Sequence, residues 1–440
     1  MKIVHIIPGS GGTFYCQNCM RDNELLRALM AKGHDVKMVP MYLPLNFNVN
    51  GFIADTPVFY GAINIFLKEK LPFYRHVPQW LERFFDSQML LRYAAKKSGS
   101  TRPAGLEEMT ISVLLGEEGR QSSELDHLIK YLKREGKPDV VHLSNALLLG
   151  LARRLKNDLN TVIVCTLQDE NEWIDPMDSA YQEKVWDTMR ERAKDVDVFI
   201  APSRYFAQKS QRQLQIPAEK MNVVYDGINF QGYEVSPLPF DPPAIGFLCR
   251  MSEYYGLGIL VDAYLALRQD SQFKNLRLHL TGGYSKDDKP FVNRMLKKLA
   301  AHRCSEEVTI FEKFDKKSRV QFLKSLTLLS VPVPHGEAFG AYQVEALAAG
   351  VPIVEPNIGV YPEFVEITGG GIVYEPNDSE HLAEALSSLL KDHSRVCRIG
   401  EQGRKSVMER FSIHTMADNI ITIYRDTLNQ SQMKQTSQFS

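Results

Sequence analysis

Residues 335–352 read HGEAFGAYQVEALAAGVP, a glycine-bracketed turn followed by an apolar run with helical spacing. Two carboxylates lie eight positions apart in it, Glu337 in the turn and Glu345 in the apolar run. A helix that begins at Ala341 or just before it presents free backbone N–H groups and the positive end of its dipole, where a phosphate docks. Gly340 lets a ligand approach the backbone closely, and Glu345 can accept hydrogen bonds from vicinal hydroxyls such as those of a ribose. The pattern indicates a nucleotide site; on spacing alone, a capped helix with two surface glutamates fits equally well.

The same stretch closely resembles the paired-glutamate motif of family-4 glycosyltransferases, which are retaining, nucleotide-sugar-dependent enzymes of the GT-B fold. The similarity continues through residues 359–363 and 369–378 and extends more weakly into the N-terminal half. It implies an α/β chain of two doubly wound, Rossmann-like domains facing each other across a cleft. It also implies transfer of a sugar from a nucleotide diphosphate sugar to a hydroxyl acceptor, which could be a glycan, a lipid or a small molecule. A nucleotide-sugar epimerase of the same fold and a catalytically impaired nucleotide-sugar-binding protein are the alternatives.

Length and composition agree with this class of protein. A chain of 440 residues fits two domains, and 44% apolar with 24% charged residues is ordinary for a globular protein. A net charge of −1 gives no reason to expect a nucleic-acid partner. The apolar run at residues 3–7 is too short for a signal peptide and no later run approaches a membrane span, so we expect a cytoplasmic protein. Oligomeric state cannot be inferred from the sequence.

Short β-branched runs alternate with helical segments in both halves, which predicts two parallel sheets covered by helices on both faces. The domains are predicted at 1–235 and 244–412, with a proline-rich linker at 233–243, and the resemblance implies that helix 413–429 returns to the first domain. The predicted strands are residues 3–7, 35–40, 140–143, 162–166, 198–201, 244–248, 277–281, 308–311, 328–333, 352–355 and 372–374.

Residues 64–103 interrupt this alternation with a helical, aromatic segment that holds eight Lys or Arg against three Asp or Glu. We favour an inserted helical pair that packs on the N-terminal domain. The alternative is an element that binds the acceptor or makes a peripheral contact with the inner face of a membrane, because basic amphipathic stretches attract anionic lipid.

Several N-terminal residues are candidates for the acceptor side of the site. In the resemblance, the glycine-rich loop after the first strand lines the cleft, which assigns Gly11 and Gly12. His142 lies near the end of a predicted strand and is either a cleft residue or a satisfied core histidine. Gln168 stands where the family often has a histidine, and it can bond a sugar hydroxyl but cannot transfer a proton. Glu170, or the adjacent Asp169, could instead provide a carboxylate for general-base work on the acceptor.

The C-terminal half provides the donor side. Arg250 matches an arginine of the family, and its guanidinium fork suits a diphosphate. Gly282 and Gly283 end a predicted strand and are expected to face the nucleotide. The family usually has a lysine where this chain has Tyr255, and Ser144 likewise replaces a histidine, which is the reason for keeping an impaired protein among the alternatives.

The resemblance also assigns the roles within the paired-glutamate stretch. It implies that Glu345 holds the ribose, that Glu337 holds the transferred sugar, and that the backbone amides around Phe339, Gly340 and Ala341 bind the sugar and phosphates. Arg250 would neutralise the leaving diphosphate. No protein nucleophile, no cofactor and no obligatory metal is expected.

Cys16 and Cys19 form a Cys-x-x-Cys pair at the start of a predicted helix. Such a pair can be a thiol of lowered pKa, a redox disulfide or half of a metal site. Simple apolar packing is the favoured interpretation. A metal would need further ligands, for which Cys165 and Cys249, at two strand ends, are the candidates.

Overall fold

The structure is a computed structural model that describes residues 1–9, 14–42, 59 and 105–437. Among these residues the chain divides into two compact units. The first contains residues 1–9, 18–42, 59, 105–224 and 417–437, and the second contains residues 14–17 and 225–416. The predicted insertion at 64–103 lies outside the described residues, as do Gly11 and Gly12.

The first unit is built on a six-stranded parallel sheet with the strand order β2-β1-β3-β4-β5-β6. The three strands β3, β4 and β5 are buried along their whole length, which explains why their sequences are continuous apolar runs rather than alternating ones. The strands are β1 (Lys2–Ile7), β2 (Asp35–Pro40), β3 (Val140–Ser144), β4 (Val162–Thr166), β5 (Val198–Ala201) and β6 (Met221–Val223).

Helices connect these strands. The first of them, α1, begins at Gln17, and its residues from Asn18 onward belong to the first unit. The helix α7 begins where the Ser203 side chain accepts a hydrogen bond from the Phe206 N–H, at 3.1 Å. The described helices are α1 (Gln17–Ala31), α2 (Glu107–Leu114), α3 (Ser122–Arg134), α4 (Ala152–Leu159), α5 (Asn171–Ile174), α6 (Ser179–Ala193) and α7 (Arg204–Leu214).

The second unit repeats the scheme with a parallel sheet of order β12-β11-β10-β7-β8-β9. Its strands are β7 (Ala244–Leu248), β8 (Arg277–Thr281), β9 (Val308–Phe311), β10 (Leu328–Leu329), β11 (Ile353–Pro356) and β12 (Gly371–Tyr374). Its helices are α8 (Leu257–Leu267), α9 (Lys289–Ala301), α10 (Lys316–Lys324), α11 (Ala341–Ala348), α12 (Tyr361–Thr368), α13 (Ser379–Leu390) and α14 (His393–Arg410). The last helix, α15 (Ile413–Ser437), belongs to the first unit from Ala417 onward.

The two parallel α/β sheets confirm the predicted fold class, and the differences are local. The strand β10 ends at Leu329 rather than at residue 333, because the Val331 N–H donates to the Glu355 carboxylate and Pro332 has no N–H to donate. The short strand β6 was missed. The chain passes from the first unit to the second after Val224, so residues 225–243 fold with the second unit instead of forming a separate linker.

Within the described residues, no helix combines the length and the apolar character needed to cross a lipid bilayer.

Candidate functional site

The two glutamates of the opening stretch lie on either side of the N-terminus of α11. Gly340 is its N-cap, with a left-handed φ of 79°, and a Cβ there would lie 2.9 Å from Glu337 Oε2, so only glycine fits. The residues Glu337 and Glu345 are only 3% and 2% exposed. The sequence alternative of two surface glutamates is therefore wrong, since both are buried and need polar partners.

Glu345 has three such partners in the second unit. Its carboxylate forms an ion pair with Arg319, whose Nε lies 2.7 Å away, and it accepts hydrogen bonds from the hydroxyls of Tyr15 at 2.8 Å and Tyr233 at 2.6 Å. Burial by itself lowers the pKa of Arg319, but the charge and hydrogen bond of Glu345, together with Tyr15 and Tyr233, outweigh it and the pKa is raised. The guanidinium therefore stays charged against the carboxylate.

Glu337 is held by neutral donors. Its Oε2 accepts hydrogen bonds from the hydroxyls of Tyr342 at 2.6 Å and Tyr361 at 3.2 Å, and its Oε1 accepts one from Gln17 Nε2 at 3.1 Å. Burial raises the pKa of both tyrosines well above the usual value, so both keep the proton that they donate.

The first N–H of α11 is also engaged. The Ala341 N–H donates to Gln17 Oε1 at 2.7 Å, so the amide of Gln17 bridges the helix N-terminus and Glu337. The bond satisfies one of the free N–H groups that a helix start leaves open.

Gly282 and Gly283 follow β8 and contact the same short segment. The Tyr15 N–H donates to the Gly282 carbonyl at 2.7 Å, and Phe14 forms an antiparallel bridge with Gly283. Gly282 has a φ of 114°, and a Cβ there would lie 2.1 Å from the Cys249 carbonyl oxygen. The backbone therefore passes close to residue 249 at this point. That Gly282 and Gly283 face the nucleotide stays a prediction.

Arg250 follows β7 and is paired within the protein. Its Nε and Nη2 bond the two carboxylate oxygens of Asp288 at 2.8 and 3.2 Å, and its guanidinium lies 4.9 Å from the ring centre of Phe14. Burial raises the pKa of Asp288, but the hydrogen bonds from Arg250 and Ser285 outweigh it, so the pKa is lowered. The sequence could not reveal that the charge of Arg250 is shared with a carboxylate.

The side chain of Phe339 belongs to the core. Its ring lies 6.0 to 6.5 Å from the ring centres of Phe364, Phe411 and Tyr225. Its side chain is therefore not a ligand-binding group, and the role predicted from the sequence concerns only its backbone amide.

The predicted residues of the first unit lie at or near the ends of β3 and β4. His142 lies inside β3, is 0% exposed, and bonds Tyr424 Oη at 2.5 Å and Thr166 Oγ1 at 2.6 Å. Burial lowers its pKa well below the usual value. Of the two interpretations of His142, these contacts match the satisfied core histidine.

Ser144 and Gln168, two of the residues that depart from the family pattern, bond each other. Gln168 Nε2 donates to Ser144 Oγ at 2.6 Å, and Ser144 Oγ donates to Asp22 Oδ2 at 2.5 Å. Asp22 is in turn bonded by Arg21 at 2.7 Å. The two departures therefore belong to one buried polar network.

Glu170 is the remaining carboxylate assigned to the first unit. It is 4% exposed, and its Oε1 accepts hydrogen bonds from the N–H groups of Ala146 and Gln168, both at 3.0 Å. Burial raises its pKa to about 7, although these backbone bonds oppose the shift. Glu170 thus fixes the chain between β4 and α5, and it can change protonation state near neutral pH.

Cys16 and Cys19 are joined in a disulfide, and the other four cysteines form none. The favoured interpretation, simple apolar packing of two thiols, is therefore wrong, and of the alternatives the disulfide is the one observed. Cys165 and Cys249 are buried. No group of three or more His, Cys, Asp or Glu in the described part of the chain is arranged to hold a metal ion.

The sequence analysis missed the residues that satisfy the two glutamates: Tyr15, Gln17, Tyr233, Arg319, Tyr342 and Tyr361. Tyr15 and Gln17 follow the glycine-rich loop, which was a usable signal. Arg319 is a single arginine on α10 with no motif around it, and only its contact with Glu345 reveals it.

Two consecutive segments of the chain match models of glycosyltransferase families. Residues 234–406 match "Glycosyl transferases group 1", and residues 110–231 match "Glycosyltransferase Family 4". Solved structures match over nearly the whole chain. A sucrose-phosphate synthase from Thermosynechococcus elongatus aligns with a TM-score of 0.69 at 16% identity, covering 98% of this chain and 100% of that one. HepE from Anabaena in complex with UDP aligns at 0.67 and 16%, covering 97% and 100%. The protein therefore has the GT-B fold of glycosyltransferases.

Curated relatives match over shorter stretches. A D-inositol 3-phosphate glycosyltransferase from Xylanimonas cellulosilytica is 25% identical over 245 residues, 52% of this chain and 56% of the relative. An N-acetyl-alpha-D-glucosaminyl L-malate synthase from Bacillus anthracis is 32% identical over 113 residues, 26% of this chain and 30% of the relative. The chain is thus similar to glycosyltransferases in both halves, while it spans about half or less of the length of these relatives.

Proposed function

We propose that this protein is a retaining glycosyltransferase that moves a sugar from a nucleotide diphosphate sugar to a hydroxyl acceptor, and that the second unit binds the donor. The observation that carries the proposal is the pair of buried carboxylates, Glu337 and Glu345, on either side of the N-terminus of α11. A buried carboxylate is costly unless polar groups surround it. A site with two of them beside a helix N-terminus suits a ligand that offers both hydroxyls and phosphates.

In this proposal Glu345 accepts hydrogen bonds from the ribose, and Glu337 accepts them from the transferred sugar. The backbone N–H groups from Phe339 to Ala341 bind the sugar and the diphosphate, and Gly282 and Gly283 let the nucleotide approach the chain. Arg250 compensates the charge that develops on the leaving diphosphate. Because Asp288 holds the Nε and Nη2 edge of the guanidinium, Arg250 acts as an oriented donor rather than as an isolated positive charge.

Retention of the anomeric configuration is part of the proposal and follows from the family resemblance. It predicts an α-linked product from an α-linked donor, with no protein nucleophile. It also predicts turnover without an obligatory divalent metal, so an excess of EDTA should leave the rate unchanged.

The acceptor is proposed only as a hydroxyl compound, and the first unit holds the candidate residues for it. Two relatives are named for D-inositol 3-phosphate and L-malate, which makes small polyols and hydroxy acids the first acceptors to test. The structures of Anabaena HepE with UDP and with UDP-glucose make uridine the first base to test in the donor. Glu170 is our candidate for the carboxylate that contacts the acceptor, because it titrates near neutral pH.

A nucleotide-sugar-binding protein without turnover is the second candidate. The observation that favours it is the hydrogen bond between Gln168 and Ser144. These two side chains stand where the family often has histidines, and they bond each other. Tyr255, in place of the family's lysine, is 9% exposed and packs edge-on against Tyr254.

Titration calorimetry with UDP, GDP, ADP, CDP and dTDP tests the proposal, on wild type and on Glu345→Gln. We expect one of these nucleotides to bind to the wild-type protein. The variant should bind the same nucleotide about 10- to 100-fold more weakly, because a hydrogen bond to a charged group is lost. Glu307→Gln is the matched control, since Glu307 also accepts a bond from an arginine, Arg268 at 2.8 Å, but lies outside the site.

Binding alone does not separate the two candidates. Incubation of the matching nucleotide sugar with a panel of polyols and hydroxy acids should release the nucleoside diphosphate together with a glycoside. A new nucleotide sugar formed without any acceptor would indicate an epimerase instead. Binding without any turnover would favour the second candidate, and the absence of nucleotide binding in every form of the protein would contradict both.

A further inference from the structure

Residues 14–17 contact most of the residues of the proposed donor site. The Phe14 ring lies against Arg250, the Tyr15 hydroxyl bonds Glu345, and the Tyr15 N–H bonds the Gly282 carbonyl. The Gln17 side chain bonds both Glu337 and the N–H of Ala341. All of these residues belong to the second unit.

Each contact has the chemistry that the donor would use. The Tyr15 hydroxyl donates to Glu345 as a ribose hydroxyl would. Gln17 Oε1 accepts from the first N–H of α11 as a phosphate oxygen would, and Gln17 Nε2 donates to Glu337 as a sugar hydroxyl would. The segment therefore satisfies buried polar groups that would be costly to leave without partners.

A donor that takes these positions has to break the bonds of Tyr15 and Gln17 first. The apparent affinity for the donor is then the intrinsic affinity multiplied by the fraction of molecules in which the segment has moved away. The segment is covalently part of the chain, so it competes at a high effective concentration.

The disulfide lies within and directly beside this segment. Cys16 and Cys19 close a small ring that contains Gln17 and Asn18 at the start of α1. The ring restricts the backbone that brings Gln17 to Glu337 and Ala341. Both cysteines are half-buried, so a reductant can reach them. Its attack on one sulfur releases the other as a thiolate, and the start of a helix stabilises a thiolate leaving group.

We propose that residues 14–17 are an internal occupant of the donor site and that the Cys16–Cys19 disulfide holds them there until it is reduced. This inference rests on the proposed function, because it takes the same groups as the donor site. The reductant is a dithiol. One of its thiolates attacks a cysteine sulfur and breaks the S–S bond; its second thiol then resolves the mixed disulfide. Two electrons and two protons pass to the protein, which ends with two cysteine thiols, and the dithiol becomes a disulfide.

The test measures the dissociation constants of UDP, GDP, ADP, CDP and dTDP with the full chain in its oxidised and reduced states. We expect reduction to tighten binding of the preferred nucleotide by about threefold to tenfold, since it raises the fraction of open molecules. The double variant Cys16→Ser/Cys19→Ser should bind like the reduced protein with or without reductant. Cys397→Ser, which removes an exposed cysteine elsewhere, should respond to reduction like wild type.

Two single variants test the occupant directly in the oxidised protein. Tyr15→Phe and Gln17→Ala should each tighten nucleotide binding, by about threefold to tenfold, because each removes a competing hydrogen bond. Tyr264→Phe is the matched control: it also loses one buried hydroxyl bond, to the Leu276 carbonyl, and should leave binding unchanged.

The contradicting results are distinct. Weaker binding by Tyr15→Phe and Gln17→Ala would make the segment a part of the donor site rather than its competitor. Equal binding by oxidised protein, reduced protein and the double serine variant would overturn the role of the disulfide. If no nucleotide binds to any of these folded forms, the proposed function fails together with the inference.

Discussion

Glu345 in the second unit and Glu170 in the first are buried to nearly the same extent, 2% and 4% exposed, yet their surroundings differ. Glu345 meets an arginine and two tyrosine hydroxyls. Glu170 is held by two backbone N–H groups, and burial raises its pKa to about 7. The partner of a carboxylate therefore decides its chemistry more than its burial does. The second unit presents a carboxylate paired with an arginine, while the first presents a carboxyl group whose pKa is raised by burial.

The largest expected effect is on the ion pair of the second unit. Arg319→Met leaves the Glu345 carboxylate buried without its cation, and we expect the free energy of unfolding to fall by about 3–5 kcal/mol. Equilibrium urea unfolding measures it. Arg268→Met, which breaks a pair of 15% and 27% exposed side chains, should cost about 1 kcal/mol or less. If both variants lost the same free energy of unfolding, the burial of the Arg319–Glu345 pair would not add to its effect on stability.

The next effect is the pH dependence that Glu170 gives the first unit. Its pKa is 4.5 ordinarily and about 7 in the folded protein, so between these values the folded state binds more protons than the unfolded state. Its contribution to stability is present below pH 4.5 and is lost as pH rises through 7, by on the order of 3 kcal/mol.

Glu170→Gln cannot ionise and should escape this loss. Urea unfolding at pH 5 and pH 8 should show the variant gaining stability relative to wild type as the pH rises. Asp175→Asn, at an exposed acid near the end of α5, should show no such gain. A difference between Glu170→Gln and wild type that is the same at both pH values would contradict the raised pKa.

The smallest of these effects concerns the buried histidine of the first unit. Tyr424→Phe removes the hydroxyl that bonds His142 Nδ1 at 2.5 Å and leaves that nitrogen without a partner, which should cost about 1–3 kcal/mol. Thermal unfolding measures the loss. Tyr181→Phe, which loses an exposed bond to Glu108, should change stability very little. If Tyr424→Phe were as stable as wild type, the interpretation of His142 as a satisfied core histidine would be contradicted.

The same comparison shows what the sequence could predict. Glu337, Gly340 and Glu345 lie in one continuous stretch, so their arrangement around the start of α11 follows from a local turn and one helical turn. The strands were found because buried parallel strands are short β-branched runs. Long-range partners could not be found in this way. Arg319 reaches Glu345 only because the fold of the second unit brings these two side chains together, and nothing in the residues around Arg319 indicates this contact.

In the first unit the sequence showed departures but not their reason. Ser144 and Gln168 were identified as replacements of family residues, and the hydrogen bond between them joins positions 24 residues apart. Hydrogen-bond partners of this kind depend on the register of β3 against β4, in which Ser144 lies opposite Thr166. Periodicity gives the strands but not their register.

A crystal structure with the best-binding nucleoside diphosphate, grown from reduced protein, tests the central claim most directly. The account predicts the diphosphate at the Ala341 N–H, the ribose on the Glu345 carboxylate, and the side chains of Tyr15 and Gln17 moved away from both. A nucleotide bound elsewhere, with Gln17 still bonded to Glu337 and Ala341, would contradict it.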